Sequence, residues 1–241
     1  MGKNKAIKLL LNNLGEKFSV SLDIDLSKKE AEEIFKWFLG SILFGARISE
    51  TIVLRTFAEF KKEDVLTPSD ILKTGWDGLV RILDNGGYVR YDFKTATKLL
   101  EITKDLKDKY QKDLNKLHSF AKDQKDLEQK IKDLGKGIGD VTCNIFLREL
   151  REVWEKAEPL PGALVIEGAR NLGLLPKVIK KDKILVELKR VWEENKVKGK
   201  DFADFEAALL RLTKDFCRYR SRDRKKKCEI CVVKDFCKHH S

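Results

Sequence analysis

Apolar positions along the chain recur with the spacing of helix faces almost everywhere. Ala31, Ile34, Phe35, Phe38, Leu39, Ile42 and Leu43 form an i, i+3, i+4 stripe. Apolar residues are dense enough there to predict a helix buried on most sides. Phe44-Gly45-Ala46-Arg47 interrupts it, and Ser49 is placed to cap a helix running through Ile52, Val53 and Phe57. Thr67-Pro68-Ser69-Asp70 is a helix start, and Asn85-Gly86-Gly87 is a turn. Lys94 to Leu106 is amphipathic. From Lys104 to Lys132 polar residues dominate, but Leu114, Leu117, Phe120, Leu127 and Ile131 keep a helical spacing. Exposed helices joined by a loop near Lys122 are expected. A helix is predicted from Asp140 to about Ala157, stopped by Pro159 and Pro161. Further helices are predicted around residues 164–172, 184–195 and 202–216. No repeat and no convincing set of strands appears, so the expected class is all-α.

Two segments break this pattern. The first is Leu134-Gly135-Lys136-Gly137-Ile138-Gly139, between two predicted helices. A helix, a Gly-x-Gly turn and a second helix make a helix-hairpin-helix. Gly137 and Gly139 are read as permitting backbone conformations that other residues resist. They let the main chain approach a phosphate at a helix N-terminus, where exposed amides and the dipole favour negative charge. Asp140 falls where an N-cap belongs. Such contacts position DNA without reading its sequence. Gly135, Lys136, Gly137 and Gly139 are therefore candidate DNA contacts. A glycine-rich helical turn with no ligand is the plainer alternative.

The second segment holds Cys217, Cys228, Cys231 and Cys237. Cys228 and Cys231 form a C-x2-C pair. Four thiolates from one short segment can wrap a tetrahedral metal such as zinc, or an iron–sulfur cube.

Charge and compartment sharpen both readings. The 241 residues allow one large domain or two lobes. The formal net charge of +11 points to a polyanionic partner, nucleic acid before an anionic membrane. A merely soluble basic protein would carry the same charge. No apolar run is long enough for a transmembrane helix, and the short run Ile7–Leu11 lacks a signal-peptide core and cleavage site. A cytoplasmic location is expected, where clustered cysteines are metal ligands before they are disulfides. Abundant Lys and Glu also fit a thermophile.

The hairpin with its following helix, Gly137 to Leu147, resembles that of endonuclease III-type DNA glycosylases of the HhH-GPD superfamily. Lys227 to Cys237 is similar to their iron–sulfur loop, and Phe35 to Leu43 to their early buried helix. Gly87 to Leu100, with Lys94 and Ala96, resembles the helix start before the hairpin. The likeness runs over roughly residues 30–240 in the same order. It implies a two-lobed helical fold with a C-terminal 4Fe–4S cluster held by Cys217, Cys228, Cys231 and Cys237. Zinc becomes the rival metal. The lobes are expected at residues 30–125, with the helix-hairpin-helix at 126–157. Residues 1–29 and 158–241 would form the second lobe, with the cluster loop at 217–237. The resemblance further implies a monomer that binds double-stranded, damaged DNA and flips a base to reach its glycosidic bond.

Several positions depart from that pattern. Bifunctional members carry a lysine where this chain has Val141, which cannot form a Schiff base. The family's aspartate falls at Gly162, and its helper glutamine at Ala46. Asp140 and Glu167 are the remaining candidate acids, each with a structural alternative as N-cap or solvated helix residue. The first cysteine interval is also longer than the family's. It carries Arg220, Arg222, Arg224, Lys225, Lys226 and Lys227 beside Arg218, read as a cationic loop that meets phosphates. Two functions follow. One is a monofunctional glycosylase without lyase chemistry. The other is a DNA-binding or damage-recognition module that has lost catalysis.

Three side readings complete the set. His239 and His240 are expected to be terminal and solvated. Cys143 is a core residue rather than a nucleophile. Trp37, Trp76, Tyr88 and Tyr91 are expected in the core, though each has the ring to stack on a base.

Overall fold

Every regular element among the described residues is a helix. The computed structural model describes residues 2–218 and 221–238, and for 221–224 the backbone alone. The chain divides into two compact units, Ser19–Pro159 and a second made from Met1–Phe18 with Leu160–Ser241.

The unit of residues 19–159 is built on α2 (Ala31–Phe44). Its dense apolar pattern has the expected result. Nine consecutive or near-consecutive residues from Ile34 to Leu43 are buried, because α2 meets neighbours on several sides. Those neighbours include α3 (Glu50–Lys62), α6 (Leu114–Phe120) and α8 (Asp140–Arg148). Trp37 is fully buried, and its indole N–H donates to the Phe146 carbonyl on α8 at 3.0 Å. Phe38 packs on the Phe146 ring at 4.9 Å between centroids. The ring series continues through Trp154 to His118, which stack at 4.9 Å and 7°. These contacts fix where α8, and therefore the start of that helix, stands within the unit.

Local capping explains several boundaries. Ser49 accepts from the Ile52 N–H and starts α3. Thr67 and Asp70 form a reciprocal capping box that opens α4 (Pro68–Asn85), which kinks at Gly75. α4 packs along α5 (Asp92–Tyr110), and α6 leads through residues 121–123 to α7 (Gln124–Lys132). Tyr88, in the turn before α5, is fully buried and donates its hydroxyl to the Leu43 carbonyl at 2.8 Å.

The helix expected to run from Asp140 to Ala157 stops at Arg148. The residues beyond it turn inward. Glu149 is buried and accepts from the Ser19 N–H at 2.9 Å. Arg151, also buried, donates to the Pro159 carbonyl at 2.6 Å. Charged side chains recruited to satisfy main-chain groups of other segments end the helix before either proline.

In the other unit α1 (Gly2–Leu14), α9 (Ala163–Asn171), α10 (Ile184–Glu194) and α11 (Phe202–Leu212) share a core. α11 is buried along almost its whole length, against α1 and α9. Asp201 and Asp204 form its capping box. Arg211 lies with its guanidinium 4.0 Å from the Phe18 ring centroid and donates to the Leu14 carbonyl. α12 (Ser221–Glu229) follows. No described helix is long and apolar enough to cross a membrane.

Candidate functional site

The hairpin joins α7 to α8. Leu134 is fully buried and Ile138 nearly so, which anchors the turn from inside. Lys136, Gly137 and Gly139 face solvent. Gly137 has φ +91°, a conformation that favours glycine. Gly139 does not share that need. It is the N-cap of α8 with φ −99° and ψ −176°, ordinary extended backbone, and a Cβ there would meet nothing within 4 Å. The first amides of α8 start here, with no carbonyl one turn back inside the helix.

Asp140 is therefore the first helical residue and not the N-cap. Its carboxylate meets Lys132 at 2.5 Å and so ties the last turn of α7 to the first turn of α8. That contact lifts the Lys132 ammonium above its ordinary pKa. Val141 follows, 63% exposed, with an apolar side chain where the resemblance calls for an amine.

One cation near the hairpin escaped the sequence reading. Lys98 on α5 reaches across the turn, so a Cβ on Gly137 would stand 2.8 Å from its Cε. Burial lowers its pKa. Its place in the amphipathic α5 pattern gave no sign of this, because the neighbour is distant in sequence.

Cys143 is buried behind the hairpin, and burial pushes its thiol up to about 12. The nucleophile is the thiolate, so this residue is inert at neutral pH. Iodoacetamide applied to the native protein at pH 8 should leave Cys143 unmodified. Peptide mass spectrometry before and after denaturation checks this; native alkylation would show that the hairpin opens.

The other four cysteines come together in the unit that contains α9 and α11. Past Leu212 the helix widens into a π-turn, Thr213–Cys217, in which the Arg218 N–H reaches back to the Thr213 carbonyl at 3.1 Å. Thr213 is fully buried and donates its hydroxyl to the Leu164 carbonyl at 2.8 Å, which pins the turn to α9. Cys228 lies near the end of α12, and Cys231 and Cys237 follow in short turns. All four thiols line one cavity with Asn171, Leu172, Leu212, Phe216 and Val233. The hollow measures roughly 320 Å³, counting solvent at its mouth.

The thiols sense one another. Burial pushes Cys217 up to about 11; Asn171 acts against this through a side-chain hydrogen bond, and Cys237, Cys231 and Cys228 add to the rise. Burial likewise raises Cys231, opposed by a hydrogen bond from the Val233 main chain. Among the described residues no three His, Cys, Asp or Glu side chains form a ready-made ion site. The four cysteines border a shared hollow without closing on a single point.

No protein-family model matches the sequence, and no curated protein does. A solved structure does match by shape: a trapped endonuclease III–DNA covalent intermediate, in an estranged-adenine complex. It superposes with a TM-score of 0.50 at 15% identity, over 84% of this chain and 83% of that one. The fold is endonuclease III-like. At that identity the likeness is one of fold.

Glu167 on α9 is partly exposed and pairs with Arg218 at 3.8 Å. The interval after Cys217, read as a cationic loop, is helical from Ser221 onward. Arg and Lys are good helix formers, and a run of them carries no breaker. Lys225 and Lys226 are exposed on it and Lys227 half-buried. Arg220 lies outside the described residues, as do the side chains of Arg222 and Arg224 and both His239 and His240. Trp37 and Tyr88 are core residues, whereas Trp76 is 40% exposed against Phe93. Asn171, which also lines the cavity, has no motif of its own in the sequence. The glycine two residues later, Gly173, was the available signal of a helix end there.

Proposed function

We propose that this chain is a DNA-binding base-excision-repair protein resembling a monofunctional DNA glycosylase, with a 4Fe–4S cluster on Cys217, Cys228, Cys231 and Cys237. The observation that carries this reading is the pairing, in one endonuclease III-like fold, of a glycine hairpin with a four-cysteine cavity. Zinc would draw four sulfurs to about 2.3 Å around one centre. A cube gives each cysteine its own iron, so its ligands stand around a body and not a point. The order of the cysteine intervals and the likeness of Lys227 to Cys237 to an iron–sulfur loop favour the cube. A cluster held there would supply four metal–thiolate bonds that fix residues 217–237.

The hairpin's role is to hold a DNA phosphate through main-chain amides at the start of α8, with Lys136 adding charge. Lys225, Lys226 and Lys227 on α12 would add further phosphate contacts. The solved endonuclease III structure was trapped as a covalent DNA intermediate. Val141 removes the amine such a trap uses in this hairpin. The remaining route is hydrolysis: water attacks the sugar carbon, the bond to the base breaks, and the proton goes to the departing base. Asp140 and Glu167 are the acids to test.

A second reading has its own observation. Gly162 caps α9 and offers no carboxylate, and Asp140 is already engaged by Lys132. Both favour a protein that binds damage without cutting it.

Duplexes bearing uracil, oxidised or alkylated bases decide between them. Binding should weaken steeply with salt. Borohydride should trap no covalent complex, and a trapped complex would overturn the assignment of Val141. Excision abolished by Asp140→Asn but kept in Glu167→Gln would name the acid. Salt-sensitive binding with no excision on any duplex establishes the second reading.

A further inference from the structure

We propose that Lys98 is a phosphate ligand, an ammonium that α5 holds against the hairpin for the DNA backbone; this deepens the DNA-binding reading above and rests on it. Two glycines let the hairpin settle on α5. A Cβ on Gly135 would stand 2.8 Å from the Ile102 side chain and 3.5 Å from the Ile102 main-chain nitrogen. A Cβ on Gly137 would meet the last three atoms of Lys98, with Nζ at 3.3 Å. Lys98 and Ile102 are four residues apart and so share a face of α5. Ile102 is fully buried, which fixes that face against the turn.

Lys98 is half-buried in this contact. Among the described residues its ammonium has no ion-pair partner and donates to no protein oxygen. Its cationic neighbours differ. Lys132 is engaged by Asp140, and Lys109, further along α5, by Asp105. An ammonium partly withdrawn from water with no acid beside it costs the fold free energy. An arriving anion removes that cost. Lys136 is exposed at the tip of the turn and must be ordered on binding, whereas the Lys98 stem is already packed.

Gly137 lies two residues before Gly139, the N-cap of α8. Two peptide units span at most about 7.6 Å between Cα atoms. A phosphate at the first amides of α8 is therefore within reach of Lys98. Such a contact adds affinity without reading sequence or damage.

The test uses the full chain, titrated at several salt concentrations with an undamaged duplex and with the same duplex carrying one uracil. Lys98→Met keeps an unbranched stem without the charge, and Lys98→Arg keeps the charge. The methionine variant should bind both duplexes roughly tenfold more weakly. Its slope of log affinity against log salt should be shallower by about 0.9, while the arginine variant keeps the original slope. The melting temperature of the free methionine variant should match or exceed that of the unaltered protein, because the packed stem stays and the unpaired charge goes. A lysine with a structural role alone would move the melting temperature and leave the slope. Lys98→Gln covers the case in which the methionine variant does not fold. Unchanged affinity and slope in a folded methionine or glutamine variant would overturn the role of Lys98 and leave the DNA-binding reading intact. An unaltered protein with no salt-sensitive binding to either duplex rejects that reading and this inference with it.

Discussion

Replacing Cys231 with alanine should give a colourless protein with far less than the about four irons per chain expected of the unaltered one. Cys231 is the best-enclosed of the four thiols, 8% exposed and part of the core that α9, α10 and α11 build. Its N–H and carbonyl also join the turns around it, to the Cys228 carbonyl at 3.2 Å and from Lys234 at 3.1 Å. Alanine leaves those main-chain bonds in place and removes only the ligand. The loss of colour therefore reports the thiolate and not a disrupted turn. Because metal binding to the folded state adds directly to stability, the melting temperature should fall as well. Iron and zinc analysis of the unaltered protein, with absorbance near 400 nm, reads the same prediction from the other side. A colourless unaltered protein with about one zinc per chain would replace the cube by a mononuclear site.

The second large effect is expected in the other unit. Trp37→Ala should cost about 3–5 kcal/mol of folding stability, from lost burial and the cavity left behind. It also leaves the Phe146 carbonyl without its indole donor inside the core, a further penalty of about 1–3 kcal/mol. Domains of this size are stable by only about 5–15 kcal/mol, so much of the protein would be unfolded at moderate temperature. Trp37→Phe keeps much of the volume but removes the N–H with part of the ring. Its loss should be smaller than that of alanine, about 1–3 kcal/mol. Urea titration of both variants separates burial from the hydrogen bond. An alanine variant within about 1 kcal/mol of the original would show that α2 does not hold α8 as described. DNA affinity should follow the folded fraction, because Trp37 acts on the hairpin through the position of α8.

Local signals in the sequence predicted local structure. Ser49 and the Thr67–Asp70 pair cap helices through groups three residues away, so spacing alone finds them. The buried character of α2 was legible for the same reason, since a helix apolar on most faces has nowhere to go but inside. Asp140 shows the limit. Aspartate suits both the N-cap and the first helical position, and the backbone of Gly139 decides between them. The end of α8 was hidden because Glu149 serves the Ser19 N–H, 130 residues away in sequence. The cysteine intervals put four thiols in one short segment, but did not show that a π-turn brings Cys217 to the cavity the others line. Asn171 and Lys98 gain their places only through folding, so periodicity is silent about both.

The split make-up of one unit has a consequence for how the protein is born. α1 leaves the ribosome well before α11, with Ile7, Leu10 and Leu11 along its apolar side. The helix it packs on, α11, begins at residue 202. Until α11 emerges, that greasy stripe lacks the helix that covers it. Contacts between such distant parts of a chain form slowly, and a waiting apolar helix is a target for chaperones and for wrong partners. The residues that close the cysteine segment thus arrive soon after those that finally shelter α1.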